Sequence, residues 1–288
     1  MKITNRYNLP EAFVELASKN QYQTKSDRFG ATTLLLPAQE IVLRQRYQNE
    51  MSQDISDMIN LFIGTAVHDL LERHDKGEYV ELYLKHEILD GYYVSGKIDK
   101  FDRLNMEVVD YKTARVSKIV YNDFRDWRMQ GLIYAWLLLK NGYYADKIRF
   151  IALLKDWSHL AKYTKNNNDD YYPESAVYIY EQKVYADDLT KIETYILKKV
   201  EQIVAMRDMS TEDILKIPLE KDYAPIIKYA VYATPDSPRA KRLFSDEESA
   251  EKYKEKHGGV VIERADPNPK YEMSCTAMQY AKKIKEDI

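Results

Sequence analysis

Several short segments of this 288-residue chain carry side chains whose types and spacing suit hydrolytic chemistry. Val108-Val109-Asp110-Tyr111-Lys112-Thr113 sets a carboxylate and an ammonium two residues apart. In a strand, alternate side chains share a face, so Asp110 and Lys112 project together, about 7 Å apart. A carboxylate can hold a divalent cation, and a lysine beside it can stabilise charge developing on an oxygen. The spacing alone is not distinctive. Glu181-Gln182-Lys183 repeats it, and an ion pair on a solvated face accounts for either. Gly96-Lys97-Ile98-Asp99-Lys100-Phe101 adds a second acid on the preceding strand. In an antiparallel hairpin Asp99 and Asp110 come within reach of one cation. Like charges on neighbouring strands are tolerated with a cation between them or with ample solvent. Hard oxygen ligands suit Mg²⁺ or Mn²⁺. The alternative is that Asp99 makes surface ion pairs with Lys97 and Lys100. Gly64-Thr65-Ala66-Val67-His68-Asp69-Leu70-Leu71-Glu72 places His68 and Glu72 one helical turn apart, on one face with Gly64. A lone helical histidine is more often a hydrogen-bonded structural residue than a ligand. His74, His86, His159 and His257 have no comparable setting. Gln130 and Tyr134 share a face of another helix, a pairing without meaning by itself.

The elements that must position these groups follow from periodicity. Met58, Phe62, Ala66 and Leu70 recur four apart and predict a helix over about 54–74. A strand over 79–89, the turn dipeptide Asp90-Gly91 and a strand over 92–101 predict a hairpin, with a further strand over 106–113. A second helix is predicted over about 121–140, with Gly142 in its stop region. A buried strand over 148–154, a polar loop over 166–170, a strand over 176–185 and an amphipathic helix over 189–206 complete this part. Ser245-Asp246-Glu247-Glu248 opens a charged helix that ends near Gly258-Gly259; a short strand over 260–263 and the breaker Asp266-Pro267-Asn268-Pro269 follow. No internal repeat or low-complexity linker divides the chain. One continuous domain over 1–288 is the economical reading, with core motifs over about 54–155 and a C-terminal elaboration over about 187–288.

Composition narrows the class. The chain is 45% hydrophobic and 31% charged, the balance of a folded globular protein, and no apolar run reaches the roughly 18–20 residues that span a bilayer. The first twenty residues lack an apolar signal core, so a cytoplasmic location and no membrane partner are expected. The single cysteine, Cys275, permits no disulfide within the chain and no cluster or zinc site built from several thiolates. A net charge of −3 means that any nucleic-acid contact needs local basic clusters or a bound metal. Arg115, Lys118, Arg125 and Arg128 flank the proposed site and suit phosphate contacts. Arg239, Lys241 and Arg242 form another group, whereas Lys252, Lys254 and Lys256 alternate with glutamates as on a solvated helix face.

Taken in order, Gly-x-x-x-His-x-x-x-Glu, Gly-x-Ile-Asp, Asp-Tyr-Lys-Thr and Gln-x-x-x-Tyr resemble the RecB-type branch of the PD-(D/E)XK nuclease superfamily, over roughly residues 64 to 134. The resemblance implies an α/β fold with a restriction-endonuclease-like core, a central mixed β-sheet flanked by helices, with N- and C-terminal elaborations. It implies His68, Asp99, Asp110 and the Tyr111 carbonyl as metal ligands and Lys112 as the group that holds or helps activate the attacking water. Glu87 is expected as a further acidic contributor, Gln130 and Tyr134 as residues lining the site, and Glu72 as a support for its helix. The implied cofactor is Mg²⁺ or Mn²⁺, one or two ions. The four cysteines that hold an iron–sulfur cluster in many such exonucleases are missing, Cys275 standing alone where their C-terminal group falls, so no cluster is expected. With no Gly-x-x-x-x-Gly-Lys-Ser/Thr pattern, helicase activity would need another polypeptide.

The function so implied is a metal-dependent DNA nuclease, an exonuclease acting on linear ends in recombination, repair or phage DNA metabolism, in a bacterial cell or a phage-infected host. DNA is the expected partner, with a helicase or recombination protein in trans. The rival is a non-catalytic DNA-binding or assembly factor that retains the fold.

Overall fold

The computed structural model describes residues 1–19, 25–75, 79–166 and 171–286, and its chain forms two compact units, Met1–Met209 and Ser210–Ile288. The first unit runs β1 (Lys2–Thr4), α1 (Glu11–Lys19), β2 (Arg28–Gly30), α2 (Ala38–Tyr47) and β3 (Ser52–Asp54), then α3 (Ile59–His74), β4 (Val80–Leu89), β5 (Tyr92–Asp102) and β6 (Glu107–Ala114). It continues with α4 (Val116–Val120), α5 (Arg125–Lys140), β7 (Lys147–Leu154), α6 (His159–Asn166), β8 (Val177–Lys183) and α7 (Ala186–Met206). The second unit holds α8 (Thr211–Lys216), β9 (Ile226–Tyr232), β10 (Arg242–Phe244), α9 (Glu247–His257), β11 (Val260–Asp266), α10 (Pro269–Ser274) and α11 (Thr276–Glu286). The elaboration expected from about residue 187 is thus divided: α7 belongs to the first unit, and the rest has its own three-stranded sheet, β10-β9-β11. Among the described residues, no helix is long and apolar enough to cross a membrane.

A six-stranded mixed sheet flanked by helices forms the centre of the first unit, as the sequence leads one to expect. Its main order is β2-β5-β6-β7-β8, with β4 against β5. The β6–β7 pair is parallel, from Glu107↔Lys147 to Ala114↔Leu154, and β7–β8 is antiparallel. Helix α5 is the crossover between parallel β6 and β7, and it buries an apolar face that includes Trp127, Ile133, Trp136, Leu137 and Leu138. Two glycines let it approach the sheet. A Cβ at Gly131 would lie 2.8 Å from Ile148, and one at Gly96 would lie 2.8 Å from the Tyr134 ring and 2.9 Å from Leu137. The glycine of the Gly-x-Ile-Asp segment therefore answers to helix packing. Helix α3 meets β6 where Gly64 faces Thr113, on the opposite face from α5 by strand alternation.

Several boundaries shift for local reasons. The helix predicted over 54–74 opens as a 3₁₀ turn, Ile55–Met58, whose cap Asp54 accepts from the Ser56 amide. The helix predicted over 121–140 begins only at Arg125, as α5, because Asn122 stands in the left-handed region at φ 52°; the short α4 precedes it. Helix α9 is capped by Asp246, which accepts from the Ser249 amide, and Gly258 ends it with φ 64°. The polar loop expected over 166–170 lies, beyond Asn166, outside the described residues. Helix α6 arises where no element was expected.

Candidate active site

The site forms where the central sheet comes apart. Strand β4 occupies one edge of β5 from residue 92 to residue 100. The other edge of β5 is shared: β2 pairs with residues 93–95 and β6 only with residues 100–102. The β5–β6 ladder stops at Lys100↔Val109, one step short of Asp99 and Asp110. The Asp99 carboxylate enters this opening and accepts the backbone N–H of Tyr111 at 2.7 Å. A side chain thus satisfies an amide that a continuing ladder would have satisfied.

The strands also lose their alternation here. Gly96 packs on α5, and Phe101, opposite Val108, lies on the same face although five residues away. The slip falls around Asp99. In β4, Val80 pairs with Lys100 and Leu82 with Ile98, which leaves Glu81 facing Asp99, and Glu81 has φ 54°. A non-glycine residue in the left-handed region is uncommon, and the register shift of this pair lies farther along, between Glu87 and Leu89.

Three ligand-type groups converge as a result. His68 Nδ1 is 3.4 Å from Asp99 Oδ1, and one ligand atom from each of His68, Glu81 and Asp99 lies within 4.8 Å of the others. The hydrogen bond that His68 donates to Asp99 holds the His68 pKa above its ordinary value, against the opposing effect of burial. Glu81 also pairs with Lys97. Two carboxylates face to face across a ladder repel unless a positive charge lies between or beside them. An imidazole and two carboxylates are a donor set suited to a divalent cation of the Mg²⁺ or Mn²⁺ kind. A cleft lined by Asn60, Gly64, His68, Glu72, Glu81 and Asp99 gives access to this group.

Asp110 sits beside this group in different company. It is 1% exposed, and Lys112 Nζ approaches its Oδ2 at 2.6 Å as an ion contact rather than an aligned hydrogen bond. Lys112 Nζ also donates to Gln130 Oε1 at 2.8 Å. Gln130 Nε2 donates to the Tyr134 hydroxyl at 2.8 Å and to Asp110 Oδ1 at 3.3 Å. Both donor positions of the buried amide and its carbonyl are therefore engaged. Burial raises the Asp110 pKa, which Lys112 partly offsets, and burial likewise pushes the Tyr134 phenol up. Helix α5 thus orients Lys112 through Gln130, and Tyr134, one turn further on, holds Gln130 in turn.

The residues expected from the sequence are not all brought together. His68 and Asp99 meet directly, and Asp110, Lys112, Gln130 and Tyr134 form one network. Tyr111 supplies its amide to Asp99, while its hydroxyl reaches Asp75 at 3.3 Å. Glu87 requires a correction. It pairs in register with Tyr93, about 20 Å along the strand from Glu81, and its carboxylate accepts the Gly91 amide of the turn at 2.8 Å. The acid that β4 contributes is Glu81. Its signal was the register: counting back from the turn at Asp90-Gly91 brings Asp99 opposite Leu82, and one bulge moves that to Glu81. The basic cluster is also divided. Lys118 is 3.5 Å from Asp123 and lies over the Trp127 ring, Arg125 and Arg128 line a 510 Å³ groove with Phe124 and Tyr180, and Arg115 is exposed after β6.

No family model matches this chain, and no curated protein matches it. Among solved structures, it is similar to the crystal structure of SSO0001, with 20% identity, 69% of this chain and 87% of that one covered, and a TM-score of 0.48. It is also similar to LHK-Exo in complex with dAMP, with 12% identity, 63% and 85% covered, and a TM-score of 0.37.

Proposed function

We propose that this protein is a metal-dependent deoxyribonuclease that hydrolyses phosphodiester bonds, an exonuclease acting on linear DNA in recombination, repair or phage DNA metabolism. The observation that carries the reading is the opening between β5 and β6, where the His68–Glu81–Asp99 group lies beside the buried Asp110–Lys112–Gln130 network. In this reading His68, Glu81 and Asp99 hold Mg²⁺ or Mn²⁺, with Asp110 and the Tyr111 carbonyl as further ligands. The ion, when bound, polarises the phosphate and lowers the pKa of a water.

The chain's own residues do the rest. Lys112, held by Gln130, places a fixed positive charge where negative charge develops on the phosphate oxygens. Its neighbour Asp110 keeps that charge local. Asp99 accepts the Tyr111 amide and so bridges the gap where the β5–β6 ladder ends. Helix α3 and its His68 close one wall of the cleft. The preference for DNA ends, and for a helicase or recombination protein as partner, rests on the resemblance of the motifs. The test is digestion of end-labelled linear and closed circular DNA with a Mg²⁺/Mn²⁺ series and a Lys112→Ala control. Metal-dependent loss of linear DNA by the unmutated protein alone is expected. Efficient cutting of closed circles removes the exonuclease assignment. Metal-independent binding without cleavage favours the rival, a DNA-binding factor that retains the fold.

A further inference from the structure

Helix α3 carries His68, but apolar packing does not fix the part of the helix that bears it. Among the described residues of α3, Phe62, near its start, is alone in being buried, and Leu61, Ile63 and Leu70 are exposed. Side-chain bonds hold the helix at its two ends instead. At the first turn Lys155, just past β7, donates to Asn60. At the other end Asp75, the residue after His74, accepts from two strands at once. Lys100 Nζ of β5 reaches its Oδ1 at 2.6 Å, and the Tyr111 hydroxyl of β6 reaches its Oδ2 at 3.3 Å. A helix rises about 1.5 Å per residue, so His68 stands about 12 Å along the axis from Asn60 and about 10 Å from Asp75.

The helix itself does not account for an acid at this position. The C-terminus of a helix carries the negative end of its dipole, which disfavours a carboxylate there. The partners of Asp75 lie at the opening in the sheet. Lys100 and Val109 form the last pair of the β5–β6 ladder; Lys100 follows Asp99, and Tyr111 follows Asp110. By strand alternation Tyr111 points away from Asp110 and Lys112, to the face on which α3 meets Thr113. Asp99 bridges the gap once, by accepting the Tyr111 amide at 2.7 Å. Asp75 bridges it a second time, between the side chains of Lys100 and Tyr111, and joins α3 to the bridge. Both of its oxygens are engaged in these ties, so Asp75 stands apart from the His68–Glu81–Asp99 group.

We propose that Asp75 is a positioning residue for the metal group: through Lys100 and the Tyr111 hydroxyl it ties the end of α3 to both strands at the break, and so sets His68 at its distance from Asp99. This rests on the reading of His68, Glu81 and Asp99 as ligands of Mg²⁺ or Mn²⁺. Asp75 acts through His68 and binds no ion itself.

The test uses the full chain and reads Mn²⁺ binding from the electron paramagnetic resonance signal of the free ion. Stability and cleavage of linear DNA are measured on the same samples. Asp75→Ala is expected to weaken Mn²⁺ binding roughly 10–100-fold, the range for residues that orient metal ligands. Its cleavage rate falls at low Mn²⁺ and returns at saturating Mn²⁺, because the ligands themselves are intact; that of Lys112→Ala does not return. Tyr111→Phe removes one hydroxyl and no charge, so it separates position from Coulomb attraction. It is expected to weaken binding about 2- to 10-fold, as for one hydrogen bond, and to add nothing in the Asp75→Ala background. Unchanged Mn²⁺ affinity in Asp75→Ala, whatever its stability, overturns the proposal, as does a Tyr111→Phe effect of equal size with and without Asp75. If Asp75→Ala does not fold, Tyr111→Phe decides alone, and full affinity in it overturns the proposal. Mn²⁺ binding that responds to these variants, with no cleavage of DNA by the unmutated protein, keeps the positioning role and loses the nuclease reading. Cleavage with metal binding indifferent to both variants loses the positioning role alone. No Mn²⁺ binding by the unmutated protein loses both.

Discussion

Two strands of the central sheet carry an acid and a lysine two residues apart, yet they stand in opposite surroundings. Register aligns Asp110 with Phe150 and Tyr180, on the face that α5 covers. It aligns Glu181 with Arg149 and Val109, on the other face. Asp110 is 1% exposed, and Lys112 is braced by Gln130. The Glu181 side chain is 50% exposed and pairs with Arg149 at 3.0 Å, while Lys183 is exposed. The same spacing therefore yields a preorganised buried charge on one strand and an ordinary solvated pair on the other. Burial beneath a helix, next to a break in the ladder, separates them. A charge removed from water acts strongly and costs much to hold, so it persists only with partners such as Gln130.

The largest expected effect breaks this comparison directly. Lys112→Ala lowers the rate of DNA cleavage by roughly 10²–10³-fold, the effect of losing a preorganised electrostatic group. Lys183→Ala leaves the rate unchanged. Both are read from initial rates with Mn²⁺, normalised to the folded fraction. Equal losses in the two variants would mean that burial does not distinguish the strands. Next comes the metal group. Glu81→Gln weakens Mn²⁺ binding by at least the roughly 10–100-fold typical of perturbing such a site, as measured by calorimetric titration. Glu87→Gln leaves it unaltered, because Glu87 serves the turn. If Glu87→Gln proves the weaker binder, the register argument fails.

Gly96→Ala tests the covering helix. Its Cβ would press on Tyr134 and Leu137, and overpacking of this kind costs about 1–3 kcal/mol, read as a shift in the denaturant midpoint. No shift would show that α5 does not depend on this close approach. The smallest effect falls on the solvated strand. Glu181→Ala changes stability by roughly 0–1 kcal/mol, the range for an exposed ion pair, and leaves cleavage unaltered.

Much of the arrangement was legible in the chain. The helix carrying His68, the hairpin around Asp90-Gly91 and the strand Asp110–Lys112 were read from local periodicity and turn chemistry, which are short-range signals. Gln130 and Tyr134 gained meaning only in company with the other motifs, since one helical turn of spacing recurs everywhere. Helix α6 was missed because its eight residues are short and its apolar side chains point outward, so no core-facing period marks them. The division into compact units at Ser210 has no counterpart in the sequence, because no linker of distinctive composition precedes it.

The chain by itself determined which residue types lie on which elements, and in what order, because helix and strand periods act over a few neighbours. Tertiary structure alone decided which acid of β4 faces Asp99. That choice depends on the register shift between Glu87 and Leu89, and a shift of one residue turns a strand's side chains to the other face. It also decided that Asp110 is buried and Glu181 is solvated, because burial is set by the helix that crosses over a strand. Their shared spacing carries no trace of that difference.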